Sequence, residues 1–164
     1  MIIKSYSKIN LSLKVNSKPG KGLHEIQSFY CLINLIDKIK ISKNQKPKDK
    51  IIFKGPFGKF IKQKNNSVHI LIKKLRELNL ISNYYSIVIT KNIPVFAGLG
   101  GGTSNAASLM KFFLKNKVNN DMLKKLGVAI GSDFKLFFSK QGFLKNLKTI
   151  IKFKKKQKLY FVLA

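Results

Sequence analysis

The chain has 164 residues, 45% of them hydrophobic, and a mean hydropathy of −0.05. This composition supplies enough apolar side chains for one folded domain with a core, and it excludes a disordered chain. The single cysteine, Cys31, excludes an internal disulfide, and no apolar run is long enough for a membrane helix. We therefore expect a cytoplasmic protein without a membrane partner.

The net charge of +27 is the most unusual feature of the composition. Such a charge attracts nucleic acid through long-range electrostatics, so a basic RNA-binding module is one interpretation. However, the 33 basic residues include a single arginine, Arg76, and the lysines are spread from Lys4 to Lys158. Proteins that read a base sequence rely on the bidentate guanidinium group. We expect no specific nucleic-acid partner, with the RNA-binding module kept as an alternative.

The N-terminal pattern predicts a strand over residues 8–15. Apolar residues alternate there with Asn10, Ser12 and Lys14, which is the period of a strand with one buried face. Lys8 and Asn10 then project from the same side of that strand. A polar turn over residues 16–22 follows, and residues 23–42 are then predicted to form one long strand or a bent pair of strands.

A lysine-rich stretch from Lys43 to Lys64 contains one probable short strand, KIIFKG, that ends at a Gly-Pro turn. Beyond it, apolar residues at helical spacing predict an amphipathic helix with Asn66 or Ser67 as its N-cap. The alternating run YSIVIT predicts the next strand. His69 matches no motif and is predicted to be a surface residue of the helix.

A glycine-rich loop joins that strand to the next predicted helix, AASLMKFFLKN. Gly98, Gly100, Gly101 and Gly102 let the backbone approach a ligand without Cβ clashes, so that successive N–H groups can point at one place. The free N–H groups of the following helix favour the same ligand, an anion such as phosphate. The loop is neither a Rossmann GxGxxG in its usual context nor a Walker A motif. Ser104 or Asn105 could cap the helix or contact a phosphate oxygen.

The C-terminal third predicts a helix ending near Gly127, an apolar strand over FKLFF and a strand-like segment KLYFVLA. Asp133 precedes FKLFF directly, and it is one of only six acidic residues in the chain. An acid at such a junction could accept a substrate hydroxyl proton in phosphoryl transfer, or it could cap a turn.

Four stretches of the chain resemble motifs of the GHMP kinases, in that family's order and at roughly its spacing. They are SKINLSL, GLHEIQS, GLGGGTSNAA and IGSDFKLFF. The resemblance implies an α+β fold like domain 2 of ribosomal protein S5, with a mostly antiparallel sheet and a few helices. It also implies that residues 1–164 form the family's N-terminal domain, and that the second domain is absent or truncated.

The resemblance implies ATP and Mg²⁺ as cofactors and a phosphorylated small molecule as substrate, most closely 4-diphosphocytidyl-2-C-methyl-D-erythritol, phosphorylated at its 2-hydroxyl. Asp133 would accept the hydroxyl proton, and Lys8 would orient the Asp133 side chain. Asn10 and His24 would contact the substrate. The implied nucleotide-binding residues are Asn66, Pro94, Val95, Phe96, Ala97, Gly98, Leu99, Gly100, Gly101, Gly102, Thr103, Ser104 and Asn105. No metal ligand and no oligomeric state is predicted. Another kinase of the family and a non-catalytic nucleotide-binding remnant stay as alternatives.

Overall fold

One long strand organises the sheet. The computed structural model describes residues 1–16, 25–147, 149–155 and 157–163. The strands are β1 (Ile2–Asn10), β2 (Lys14–Val15), β3 (Ile26–Lys43), β4 (Lys50–Lys54), β5 (Tyr85–Thr90), β6 (Gln141–Leu144) and β7 (Ile150–Lys152). Strand β3 has 18 residues and pairs antiparallel with β1 and β2 along one edge and with β5 and β6 along the other. The sequence left open whether this region forms one long strand or a bent pair of strands, and the structure has one long strand.

The remaining strand pairs extend the sheet outward. Strand β7 pairs antiparallel with β6, and β4 pairs parallel with β5, so β4–β5 is the parallel pair among the described strands. The prediction of an α+β fold with a mostly antiparallel sheet is therefore confirmed. The predicted strands KIIFKG and YSIVIT correspond to β4 and β5.

Three α-helices cover one face of this sheet in the described part of the chain. They are α1 (Ser67–Glu77), α2 (Gly101–Leu114) and α3 (Asn120–Ile130). Their apolar sides pack on alternate residues of the sheet, including Ile39 of β3 and Ile87 of β5, both fully buried. Lys38 and Lys40 lie between the buried positions of β3 and point to solvent, as expected for an antiparallel sheet with one wet face. None of the helices among the described residues is long and apolar enough to span a membrane.

The N-terminus of α1 follows its sequence signal. Asn66 is the N-cap, and its Oδ1 accepts hydrogen bonds from the backbone N–H groups of Val68 and His69 at 3.1 and 3.2 Å. Val68, Leu71, Ile72 and Leu75 form the buried stripe of this helix. The prediction of an amphipathic helix beginning at Asn66 or Ser67 is confirmed, because a capping side chain and helical periodicity agree there.

The predicted strand over residues 8–15 is wrong in its bounds. The strand β1 ends at Asn10, and Leu11, Leu13 and Val15 are 44%, 55% and 59% exposed. Burial in β1 falls instead on Ser5, Ser7 and Lys8, whose polar side chains find partners inside the protein. A hydrophobic pattern cannot detect a strand whose buried positions are polar, so the prediction was displaced toward the apolar residues.

Three predictions near the C-terminus are also wrong. FKLFF forms a 3₁₀ helix over Ser132–Phe138, because Phe134 and Phe137 are three residues apart and both turn into the core. Helix α3 continues past Gly127 to Ile130. The segment over 157–163 forms no strand, although the Gln141 side chain bonds the backbone of Gln157 as both donor and acceptor.

The single arginine of the chain, Arg76, links α1 to the edge of the sheet through an ion pair. Arg76 Nε and Nη2 donate to the two carboxylate oxygens of Asp49, each at 2.9 Å, and its guanidinium lies 4.1 Å from the centre of the Tyr84 ring. The side chains of Arg76 and Asp49 are 24% and 15% exposed. The guanidinium that could have read a nucleic-acid base is thus already occupied within the fold.

We expect Arg76→Lys to lower the free energy of unfolding by about 1–3 kcal/mol, because lysine cannot reproduce a bidentate, charge-assisted contact. Urea unfolding followed by circular dichroism measures the change. The matched control is Lys73→Ala on the same helix, since Lys73 is 79% exposed and lies 4.0 Å from Glu77. We expect the control to change stability by less than about 0.5 kcal/mol. Equal losses of stability in the two variants would contradict a stabilising role for the link between Arg76 and Asp49.

Candidate active site

The glycine loop between β5 and α2 has a strongly turned backbone. Phe96, Gly98 and Gly100 have φ values of 63°, 71° and 68°, in the left-handed region. Gly100 is the N-cap of α2, and this helix end has no side-chain cap hydrogen bond in the described part of the chain. The first amides of α2 are therefore left for a ligand, and the dipole of the 14-residue helix favours a negative charge at that point.

A cavity of about 580 Å³ lies against this loop. Its lining combines the backbone of residues 94–103 with the start of α1 and with apolar side chains such as Phe53, Phe60 and Ile70. Lysines 62 and 91 belong to the lining, and none of the described residues that line it is acidic. Backbone donors beside an apolar wall suit a ligand that is part phosphate and part aromatic base.

Glycine is required at two positions of the loop. At Gly100, a Cβ would lie 2.7 Å from Cζ of Phe137, and the positive φ already disfavours other residues. At Gly101, a Cβ would lie 3.0 Å from Cγ2 of Ile93 and 3.1 Å from Nζ of Lys91. The helix start is thus packed against the loop and the 3₁₀ helix with no room for a side chain.

The structure brings Lys8 and Asp133 together next to this loop. Lys8 Nζ lies 3.2 Å from Asp133 Oδ2 and 3.3 Å from Asn10 Oδ1. The Lys8 side chain is 6% exposed and that of Asp133 is 29% exposed, so a ligand can reach the carboxylate. The backbone N–H of Lys8 donates to the Leu99 carbonyl oxygen at 3.0 Å, which ties β1 to the loop.

The Asp133 segment also touches the start of α2. A Cβ on Gly131 would lie 3.5 Å from Oγ1 of Thr103, so the turn that carries Asp133 runs past the first turn of that helix. Lys8 and Asp133 themselves are not in the lining of the cavity. The pair is joined to the cavity through Leu99 and Gly100, which line it: the Lys8 amide bonds the Leu99 carbonyl oxygen, and a Cβ on Gly100 would lie 3.5 Å from Cγ of Lys8.

Ser104 and Asn105 are placed differently from the sequence expectation of a cap or a phosphate contact. The Ser104 hydroxyl donates to the Tyr6 carbonyl oxygen at 2.5 Å, and its backbone N–H donates to the Gly100 carbonyl oxygen at 2.8 Å. Asn105 is 1% exposed and reaches the cavity lining, and its described side-chain hydrogen bonds go to the interior residues Ser5, Asp37 and Lys91. Both side chains turn inward, because α2 packs this face against β1 and β3.

The other residues proposed from the sequence divide into three groups. Residues 94–103 and Asn66 line the cavity, where Asn66 also caps α1 and donates through Nδ2 to the Lys62 carbonyl oxygen at 2.7 Å. Asn10 forms a group with Lys8 and Asp133, the Lys8 cluster. His24, expected to contact the substrate, lies outside the described residues.

Sequence reasoning missed a buried polar cluster beneath the loop. Asp37 and Lys91 are 0% and 1% exposed and form an ion pair with each other. Burial lowers the pKa of Lys91, and its hydrogen bond to Asp37 opposes that shift. One signal was available, because Asp37 is one of six acidic residues and interrupts the apolar run of β3.

The matches to known proteins agree with this geometry. Residues 66–137 match the family model described as GHMP kinases N terminal domain. The 4-diphosphocytidyl-2-C-methyl-D-erythritol kinase of Pelagibacter ubique (strain HTCC1062) is 41% identical over 168 residues, covering 99% of this chain. The chain belongs to the GHMP kinase family. The similar kinase of Finegoldia magna is 33% identical over 144 residues, covering 86% of this chain.

Solved GHMP kinase structures share the fold. A 4-(cytidine 5'-diphospho)-2C-methyl-D-erythritol kinase aligns with a TM-score of 0.66 at 23% identity, over 93% of this chain and 54% of that chain. A mevalonate kinase aligns with a TM-score of 0.64 at 21% identity, over 94% of this chain and 56% of that chain. The chain spans 59% of the length of the Pelagibacter relative and 51% of the Finegoldia relative.

Phe96 lies in the glycine loop between β5 and α2, and substitutions there test whether the loop backbone is strained. Its ring is 98% exposed and its φ is positive, which costs a non-glycine residue about 1 kcal/mol. We expect Phe96→Gly to raise the free energy of unfolding by about 0.5–1 kcal/mol, because glycine adopts this conformation freely. Thermal and urea unfolding measure the gain.

The control is Phe96→Ala, which removes the same exposed ring but keeps Cβ at a positive φ. We expect it to give no such gain in stability. If alanine stabilised the protein as much as glycine, the strain at residue 96 would lie in the ring and not in the backbone.

Proposed function

We propose that this chain is the nucleotide-binding half of a kinase that phosphorylates the 2-hydroxyl of 4-diphosphocytidyl-2-C-methyl-D-erythritol with ATP. The observation that carries the proposal is the Lys8–Asp133 pair, 3.2 Å apart and tied through the Lys8 backbone to Leu99 of the glycine loop. The substrate class is taken from the names of the Pelagibacter and Finegoldia relatives.

The donor side of the site is the cavity against the loop. The amides at the start of α2 and in the glycine loop would hold the phosphate groups, since these residues line the cavity and the N-cap Gly100 offers no side-chain cap. Apolar side chains of the lining, among them Phe53 and Phe60, would cover the base. Lys62 adds positive charge to the lining.

The acceptor side is the Lys8 cluster. The carboxylate of Asp133 would accept the hydroxyl proton, and the Lys8 ammonium would hold that carboxylate in place and offset charge that develops on the transferred group. Asn10 would take part in substrate contact through its amide, which already bonds Lys8. Phosphoryl transfer depends chiefly on positioning and electrostatics, so the rigidity of this cluster is its main contribution.

The residues described here give Mg²⁺ no carboxylate ligand in the cavity lining, and they contain no group of three or more His, Cys, Asp or Glu side chains placed to hold a metal. We propose Mg²⁺ only as a companion of the nucleotide phosphates, which is how this ion commonly binds in kinases. No step above is assigned to it. The cytoplasmic location and the lack of a specific nucleic-acid partner stay predictions from the sequence.

Nucleotide binding is tested by filling the phosphate position without disturbing the fold. Gly102 is exposed at the start of α2, and a Cβ there would meet nothing closer than Ser67 Oγ at 3.7 Å. We expect Gly102→Val to weaken ADP binding at least about tenfold, measured by isothermal titration calorimetry, with little change in melting temperature. The control Gly127→Ala lies on α3, where the nearest atom to the new Cβ is Cε of Lys135 at 4.0 Å, and should bind ADP normally. Normal ADP affinity in Gly102→Val would overturn the nucleotide site.

The catalytic pair is tested by a kinetic cycle of Asp133→Asn, Lys8→Met and the double variant. We expect each single change to lower kcat by about 10²–10⁴-fold while the affinity for ADP stays within about threefold. Because the two groups act as one unit, the double variant should lose much less than the product of the two single losses. The assay uses this chain, or a chimera with the C-terminal part of the Pelagibacter relative if this chain alone shows no turnover. Independent, multiplicative losses would refute the pairing.

A further inference from the structure

The buried ion pair beneath the glycine loop has no part in the proposed chemistry. Asp37 of β3 and Lys91 at the end of β5 are 54 residues apart in sequence and almost completely buried. Placing two charges in the interior carries a large desolvation cost, which a pair of apolar side chains would avoid. Because the contacts of this pair must offset that cost, they indicate which part of the structure the pair stabilises.

The Asp37 carboxylate holds both ends of the glycine loop. Its Oδ1 accepts hydrogen bonds from the backbone N–H groups of Asn92 and Ile93 at 2.7 and 2.9 Å, directly before the loop. Its Oδ2 accepts from Nδ2 of Asn105 at 2.9 Å, in the second turn of α2. One rigid group in the central strand thus fixes where the loop leaves β5 and where it enters α2.

Lys91 completes the support from below. Its Nζ contacts Asp37 Oδ2 and donates to Oδ1 of Asn105 at 3.0 Å. The same Nζ lies 3.1 Å from where a Cβ on Gly101 would stand. The Lys91 backbone N–H donates to the Lys54 carbonyl oxygen at 2.8 Å, so the residue is anchored to β4. The ammonium therefore packs against the first turn of α2, whose residues line the cavity.

We propose that Asp37 and Lys91 are positioning residues that set the loop and the first turn of α2 in their phosphate-binding arrangement. This inference rests on the proposed nucleotide site and adds Asp37 and Lys91 as residues that act through the loop backbone, although Lys91, 1% exposed, also reaches the cavity lining. Fixing the donors before the ligand arrives removes an ordering cost from binding. The effect should fall on phosphate affinity and should spare recognition of the base.

The decisive variant is the double change Asp37→Asn with Lys91→Met. It removes both charges, so no unpaired charge stays in the interior and the fold can be kept. The matched control is Ser5→Ala. Ser5 is 0% exposed and bonds Asn105 and Ser104 at 3.0 and 2.8 Å, so it belongs to the α2 side of the same cluster, and none of the described hydrogen bonds joins its side chain to Asn92 or Ile93.

Inorganic tripolyphosphate and adenosine serve as separate probes in isothermal titration calorimetry. We expect the double variant to bind tripolyphosphate at least about tenfold more weakly than the wild type, and adenosine within about twofold. Ser5→Ala should lower the melting temperature and leave both affinities unchanged. A purely structural role for the pair would give a folded double variant with wild-type affinity for tripolyphosphate, and that result would overturn the inference.

Amide hydrogen exchange on the unliganded protein decides the inference independently of nucleotide binding. In the wild type, the amides of Asn92 and Ile93 should exchange as slowly as those of Ile87 and Ile89 in β5. In the double variant, exchange over residues 92–103 should accelerate, and in Ser5→Ala it should not. Fast exchange at Asn92 and Ile93 in the wild type would refute the positioning role even if the double variant failed to fold. Failure of the wild type to bind ADP and tripolyphosphate would instead refute the nucleotide site.

Discussion

The carboxylate of Asp37 is the interaction on which the rest of the site depends. It is fully buried and accepts hydrogen bonds from two backbone amides, from the Asn105 amide and from the Lys91 ammonium. A buried charge is tolerated only when its hydrogen bonds are satisfied with good geometry. The strand β3, the end of β5 and the helix α2 can therefore dock in few ways other than the one observed.

Once α2 is fixed, both halves of the candidate site follow from it. On one side, the uncapped helix start and the loop face the cavity. On the other side, the Phe137 ring packs against Gly100, and the Leu99 carbonyl accepts the Lys8 amide. These contacts carry the 3₁₀ helix of Asp133 and the strand of Lys8 to the same place. Under the proposed function, a phosphate bound at the helix start would lie near both the cavity and the Asp133 carboxylate that Lys8 pairs with.

The features predicted correctly from the sequence are those with local causes. The N-cap of Asn66 with its helical stripe, the alternation of YSIVIT and the glycine loop each involve residues within a few positions of one another. The features that were missed are long-range. Ser5 is buried because it hydrogen-bonds with Ser104 and Asn105, 99 and 100 residues later in the chain. FKLFF forms a 3₁₀ helix because its phenylalanines pack in the same core as α2. Local patterns carry no information about such partners. The meeting of Lys8 and Asp133 was predicted from the family resemblance of their motifs, and no local pattern indicated it.

The distribution of the few acidic groups bears on how so basic a chain can be selective. A net charge of +27 draws any polyanion toward the surface, so attraction alone cannot distinguish a nucleotide from other phosphates. Among the described ion pairs, the carboxylates of Asp37 and Asp49 pair with cations that hold the framework together, whereas Glu77 pairs with exposed lysines of α1. Asp133 differs, because its partner Lys8 is buried while the carboxylate itself is partly open and stands beside the glycine loop. Under the proposed function, selectivity would come from the shape of the loop amides and from a hydroxyl that fits the Asp133 carboxylate. Both depend on positions that the interior network fixes and that added surface charge does not change.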